Sequence, residues 1–535
     1  MKALLLATTA GLIAAGTLAP TAHATTGTAT DPPALVWQDC PVDANDIPAP
    51  QCAMLQLPVD WNNPSGPTYG LKLARRTATN QSARVGAMVF GAGGPGDSGV
   101  YRIREGIDRF SDELRSRFDI VSFDPRGVAG SNPVVCSAAL LAKAPSPIIT
   151  SQAQYDATIK YNRELAADCR KNTGPLFEHL DSLQSVKDLE AIREALGEEK
   201  LTFHGSSYGT MLGAQYAEQY PQKVRAVVLE STVDHSLSTR KFLDTQAESA
   251  QDSFDEFVKW CDRTTTCALH ERDVRELWAD LLVRAGRGEL AQPRDPKQAL
   301  TPFTLSFLAT KFFKEPEWSQ LALTLKALEV SKPPVGQPGV PTGLGQNPML
   351  VFCQDWDLPV RSYSEYAAHL RRLARIAPEM KYPGALIATS TCLGRPAQVD
   401  NPQHRLDVHT NIPLLVTTAV HDPVSGYNWA TSVTRQLGRH GVLLTYDGWG
   451  HGTYSSSPCS KALIDSYLIS QAVPARGTHC PALNRFSEGS PSVHVLYAQG
   501  DPHAWVGSAR DRRRLSLDRV DRGNHYVLSA CGDRP

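Results

Sequence analysis

Along this chain, short apolar runs alternate with stretches of helical period. Apolar runs closed by turn residues occupy 87–90, 119–123, 201–204, 224–229, 414–420 and 442–446, each of a length suited to a buried strand. Helix-like periodicity follows several of them, at 186–196, 211–219 and 461–470. That alternation predicts an α/β fold with a mostly parallel sheet covered on both faces. The rhythm lapses between 229 and 414, where helix formers and aromatics (Phe254, Phe257, Trp260, Trp278, Phe312, Phe313) precede a Pro/Gly-rich stretch at 333–348. We read 236–410 as an inserted, mainly helical domain with an aromatic core of its own. It would interrupt a sheet domain made of 25–235 and 411–484. Residues 485–535 are polar, carry Arg510, Arg512, Arg513, Arg514, Arg519 and Arg522, and show no periodicity, so they read as an irregular tail.

The first residues have a different character. Met1-Lys2 is a basic start, 3–19 is apolar, and Ala22-His23-Ala24 is a small-x-small cleavage pattern, so 1–24 reads as a secretory signal peptide. A membrane anchor is the weaker reading, because Gly11, Gly16, Pro20 and several threonines dilute a run barely long enough for ~30 Å of hydrocarbon. Export makes disulfides plausible for the 11 cysteines. Taken in order they form short-loop neighbours: Cys40 with Cys52, Cys136 with Cys169, Cys261 with Cys267, Cys353 with Cys392, and Cys459 with Cys480, leaving Cys531. Sequence does not fix connectivity. We expect five disulfides and no metal, since neither a Cys-x-x-Cys pair nor a His-Glu-x-x-His helix occurs. With 54 basic and 55 acidic side chains there is no electrostatic footprint for nucleic acid or for a membrane surface.

The chemistry concentrates at strand ends. Gly205-x-Ser207-x-Gly209 lies between an apolar run and a helical stretch, the context of a nucleophile elbow. Such a turn needs small residues on either side of the serine, whose hydroxyl it lifts into the open. A serine needs a base oriented by a carboxylate, and on this topology the chain order is Ser, Asp, His. Asp422 follows the 414–420 run and His451 follows the 442–446 run, so Ser207, Asp422 and His451 form the candidate triad. Asp447 is a rival acid but shares the histidine's loop; His204 lies on the strand entering the elbow, and His421 reads as a loop residue beside the acid. Glycines 450 and 452 suggest a flexible loop around His451. Gly91-Ala-Gly-Gly-Pro-Gly96 follows the 87–90 run and exposes backbone amides; we pair the Gly94 N–H with that of Tyr208 as the oxyanion hole. The same stretch fits a dinucleotide-binding glycine pattern, a reading rejected because Pro95 falls where the phosphate-binding helix would begin. No cofactor is expected. Asp124-Pro-Arg126-Gly127 reads as an Asp/Arg pair and tight turn buttressing the oxyanion loop.

Gly93-Gly94-Pro95-Gly96, Asp124-x-Arg126-Gly127, Gly205-x-Ser207-Tyr208-Gly209-Thr210-x-x-Gly213, Asp422-Pro423 and Gly450-His451-Gly452, in that order, resemble the secreted actinobacterial tripeptidyl aminopeptidases. These are α/β-hydrolase serine exopeptidases related to prolyl aminopeptidase. The resemblance spans about 35–484 and implies an extracellular enzyme that releases short peptides, tripeptides in particular, from free N-termini under a helical cap. Two motifs depart from the family pattern: Phe90-Gly91-Ala92-Gly93 lacks the usual leading His or Asn, and Asp422-Pro423-Val424-Ser425 replaces Asp-Pro-x-Thr-Pro. An aminopeptidase must also bind the substrate ammonium, for which Glu230 and Asp355 are the candidates. The expected partners are peptides with free N-termini, with no nucleic acid, no membrane after signal cleavage, and a monomeric state. The alternative is an extracellular esterase or small-molecule amidase using the same triad. A non-catalytic protein on this scaffold is the weakest reading, because the triad is intact.

Overall fold

The computed structural model describes residues 35–41, 50–293, 295–336 and 339–483; the proposed signal peptide, the tail 485–535 and Cys531 lie outside them. In chain order the strands are β1 (Gln38–Asp39), β2 (Gln51–Pro58), β3 (Thr68–Arg76), β4 (Gly86–Gly91), β5 (Phe118–Phe123), β6 (Val135–Ser137), β7 (Leu201–Ser206), β8 (Val224–Glu230), β9 (Leu344–Gln346), β10 (Leu414–His421), β11 (Gly441–Trp449) and β12 (His479–Cys480). Ten of them form one sheet in the order β1-β2-β3-β5-β4-β7-β8-β10-β11-β12, while β6 and β9 make a small antiparallel pair. From β5 through β12 neighbours run parallel, and β1–β3 are an antiparallel edge joined to β5.

Burial explains which strands stand out in the sequence. β4 and β5 are buried at every position, as strands covered on both faces must be, and therefore read as largely apolar runs, with Asp119 and Ser122 of β5 as buried polar exceptions. In β2, by contrast, Leu55 and Leu57 face the core while Met54 and Gln56 are exposed. An apolar-run criterion passes over such strands; strict alternation is the signal that finds them. The helical stretches correspond to Ser182–Ala195, Gly209–Gln219 and Pro458–Ser470. Asp181 caps the first by accepting the Gln184 N–H, and Ser457 caps the last with Pro458 at its first position, two start signals of a helix.

Between β8 and β10 the chain leaves the sheet and builds helices that include Thr239–Arg263, Val274–Gly286, Pro302–Lys314, Trp318–Glu329 and Tyr363–Ile376. Phe254, Phe257, Trp278, Phe313 and Trp318 are buried together in a cluster distinct from those on the two faces of the sheet. Side chains of this size remove roughly 200 Å² each from water, about 5 kcal/mol before conformational entropy is subtracted. The ten cysteines among the described residues pair in sequence order, Cys40–Cys52, Cys136–Cys169, Cys261–Cys267, Cys353–Cys392 and Cys459–Cys480. Among the described residues no helix is long and apolar enough to cross a membrane.

Candidate active site

β7 ends at Ser206, and Ser207 takes a left-handed backbone conformation, φ +54°, before the helix Gly209–Gln219 begins. A non-glycine residue in that region is strained and is held there by its surroundings. The Ser207 N–H donates to the Glu230 carbonyl (2.9 Å), and its own carbonyl accepts from the Thr210 N–H (2.9 Å) and hydroxyl (2.6 Å). The flanking glycines are steric necessities: a Cβ on Gly209 would lie 2.4 Å from the Gly91 carbonyl oxygen, and one on Gly205 would lie 2.7 Å from that of Gly209. Gly93 passes directly over the nucleophile, since a Cβ there would meet the Ser207 Cβ at 2.9 Å and Oγ at 3.5 Å. Thus the loop after β4 is closed against the serine, with Gly94 at φ +113°.

Asp422 follows β10 and is 1% exposed. Its Oδ1 accepts from the N–H groups of Val424 (2.9 Å) and Ser425 (3.0 Å), and both carboxylate oxygens lie 3.0 Å from His451 Nδ1. His451 follows β11 in a tight turn rather than a flexible loop. Gly450 and Gly452 sit at φ +108° and +115°, and the His451 N–H donates to the carbonyl of Lys314 (2.8 Å), at the end of the inserted helix Pro302–Lys314. A Cβ on Gly450 would meet that same carbonyl at 2.9 Å, so the glycine permits a close approach. No motif marks Lys314, because its contribution is a main-chain oxygen.

The rival residues are engaged elsewhere. Asp447 binds His479 Nδ1 (2.6 Å), His421 Nδ1 lies 2.8 Å from Asp252, and His204 is fully buried with Nε2 3.0 Å from Glu230. His421 also stacks on Trp449, and the Trp449 indole N–H donates to Glu256 (3.0 Å), so the acid loop and the base loop both dock on the inserted helix Thr239–Arg263.

Three expectations require correction. Asp124 and Arg126 are not partners. Asp124 accepts from the Ser98 hydroxyl and from the amides of Val100 and Gly130, steadying the segment after the oxyanion loop. Arg126 forms a bidentate pair with Asp188 (2.8 and 2.6 Å) and donates to the carbonyls of Val59 and His179, entirely out of solvent. Nor do Glu230 and Asp355 present oxygens to a substrate ammonium. Asp355 is 0% exposed and accepts from the Ser182 amide and hydroxyl, the Tyr208 hydroxyl and Asn401. It tethers the residue after the nucleophile, while burial raises its own pKa. Glu230 is also 0% exposed and accepts from His204, Arg109 and the Tyr454 amide. Burial alone would raise its pKa, yet the His204 and Arg109 contacts prevail and hold the carboxyl down at about 2.

A buried Asp–His pair, a serine on a strained strand-to-helix turn and a glycine loop over its hydroxyl define a serine hydrolase on a mostly parallel sheet. Residues 86–367 match the alpha/beta hydrolase fold family, and residues 381–480 match the TAP-like protein family. The chain belongs to the α/β-hydrolase fold family, and within it to the tripeptidyl aminopeptidase-like group. It is 29% identical over 483 residues to the serine protease Hip1 of Mycobacterium tuberculosis, covering 83% of this chain and 90% of that protein. The tripeptidyl aminopeptidase of Streptomyces coelicolor is 29% identical over 476 residues, 83% of this chain and 85% of the relative. Carboxylesterase B of Mycobacterium tuberculosis is 26% identical over 511 residues, 88% and 94% respectively.

Proposed function

We propose that this protein is a secreted, monomeric serine exopeptidase that releases short peptides, tripeptides in particular, from free N-termini through an acyl-enzyme on Ser207. The observation that carries this reading is the bonded Asp422–His451 pair, whose residues follow β10 and β11, together with the left-handed strand-to-helix turn that bears Ser207 at the end of β7 in the same sheet. The similarity to a serine protease and a tripeptidyl aminopeptidase supplies the peptide substrate. The five disulfides support an oxidising, extracellular location.

In this reading Asp422 accepts the Nδ1–H of His451 and keeps Nε2 free to take the Ser207 proton as Oγ attacks the scissile carbonyl. The amides of Gly94 and Tyr208 receive the negative charge that develops on the carbonyl oxygen. His451 then returns the proton to the leaving amine. A water molecule, deprotonated by the same imidazole, attacks the acyl-enzyme and frees Ser207. With Glu230 and Asp355 committed to internal partners, recognition of the substrate ammonium falls to other groups.

That commitment, together with the similarity to a carboxylesterase, keeps the esterase or amidase reading as the second one. Chromogenic tripeptides with free and with acetylated amines separate the two. Strong preference for the free amine is the expected result, and equal turnover of both would remove the exopeptidase assignment. Stoichiometric labelling of Ser207 by a fluorophosphonate tests the nucleophile itself.

A further inference from the structure

Glu230 ends β8, the strand paired with the nucleophile strand, opposite Ser206. Its two polar ends point to two parts of the catalytic machinery. Its main-chain carbonyl accepts the Ser207 N–H (2.9 Å), fixing the elbow. Its carboxylate Oε1 accepts the N–H of Tyr454 (2.7 Å), three residues beyond His451, and a Cβ on Gly452 would lie 3.6 Å from that same oxygen. Oε2 takes His204 Nε2 (3.0 Å), from the strand that enters the elbow, and Arg109 Nη2 (3.2 Å). The Arg109 guanidinium covers the ring of Phe90 (4.6 Å), the residue before the oxyanion loop, and the His204 ring packs edge-on against both Phe90 and Tyr454. The far end of the base loop is anchored as well, since the Tyr454 hydroxyl donates to Asp465 (2.6 Å) and accepts from the Ser111 amide.

A fully buried carboxylate is costly to desolvate, and hydrophobic groups of similar volume often replace buried ion pairs without loss of stability. Packing therefore does not account for an acid at this position, whereas geometry does. Resting on the triad reading above, we propose that Glu230 is a positioning residue. By holding the Ser207 amide through its carbonyl and the 450–454 turn through its carboxylate, it sets the separation between the nucleophile and the His451 imidazole. Substitution changes only the carboxylate side, because the carbonyl is main chain. The base loop would then shift against a fixed elbow.

The test compares the full-length secreted protein with Glu230→Leu and Glu230→Asp, each at a concentration set by fluorophosphonate titration, and with melting temperature measured in parallel. Displacements near 1 Å between reacting groups can lower rates about 100-fold. We expect Glu230→Leu to lose about that factor in kcat and in the rate of fluorophosphonate inactivation, with KM unchanged within threefold. Glu230→Asp, whose carboxylate is withdrawn by one methylene, should lose about tenfold in kcat; Glu230→Gln, which keeps an acceptor for Tyr454 but turns an NH2 toward the Arg109 donor, should retain more activity than Glu230→Leu. A folded Leu variant with kcat per titrated site within threefold of the parent overturns the proposal, whatever its melting temperature. If the Leu variant fails to fold, an unchanged kcat in Glu230→Asp does so instead. Failure of the parent to label at Ser207 would instead sink the triad reading, and this proposal with it.

Discussion

Asp422→Asn isolates the work of one proton. In the wild-type protein Oδ1 receives two main-chain donors, from Val424 and Ser425, and shares His451 Nδ1 with Oδ2, which has no main-chain donor. An asparagine in the same rotamer must keep its oxygen toward those two amides, because turning the NH2 toward them would set donor against donor. Its NH2 group therefore occupies the Oδ2 position and donates toward His451 Nδ1. A neutral imidazole that accepts at Nδ1 carries its proton on Nε2, the nitrogen that has to take the proton of Ser207. The expected loss is about 10⁴ in kcat, equivalent to about 5.4 kcal/mol of transition-state stabilisation. Both loop bonds survive, so the melting temperature should hardly change. The assay is kcat on a chromogenic peptide per folded molecule, together with the rate of fluorophosphonate labelling. A variant retaining more than a tenth of the parental kcat would refute the assignment of Asp422 as the acid that orients His451.

Further outcomes follow from groups away from the triad. Burial, reinforced by the nearby charge of Asp355, pushes the Asp181 carboxyl up to about 6. A raised acid binds its proton more tightly in the folded state, so the folded protein loses stability as pH rises from about 4 to 6 and stays at the lower level above that. Asp181→Asn keeps an acceptor for the Gln184 amide and should raise stability by up to about 3 kcal/mol at pH 8 and by nothing at pH 4, measured by melting at both. Arg126→Met strips a buried carboxylate of its bidentate partner and two carbonyls of their donors, and should lower stability by about 3–5 kcal/mol in denaturant titration; a loss under about 1 kcal/mol would contradict the pairing with Asp188. Replacing Cys353 and Cys392 together by serine opens a bridge spanning 39 residues, for which loop entropy gives about 4 kcal/mol, read as a lower melting temperature with Ser207 still labelled.

Several features of this protein are written locally and were legible without coordinates. A run of apolar residues short enough to be a strand is apolar because both faces of that strand are covered, so β4, β5, β7, β8, β10 and β11 announce themselves. Gly205 of the elbow is equally local, since a Cβ there would collide with Gly209 and Phe203 of the same strand and turn, whereas Gly209 is required by the Gly91 and Ala92 carbonyls of a loop distant in sequence. The order Ser, Asp, His and the pairing of cysteines with their nearest neighbours in sequence also needed no third dimension to be anticipated.

Partner choice was another matter. Carboxylates look alike along a chain, and whether one meets a substrate, an arginine or an amide depends on which distant segment packs against it. Glu230 meets Tyr454 across 224 residues, Asp355 meets Tyr208 across 147, and Arg126 passes over the nearby Asp124 to reach Asp188. The edge strands β1–β3 stayed hidden for a related reason, because β1 is two exposed residues and in β2 and much of β3 buried positions alternate with less buried, often polar ones, which breaks up an apolar run. Local sterics and periodicity act between neighbours and can be read from sequence. Desolvation and charge pairing act through space between residues that only the completed fold brings together.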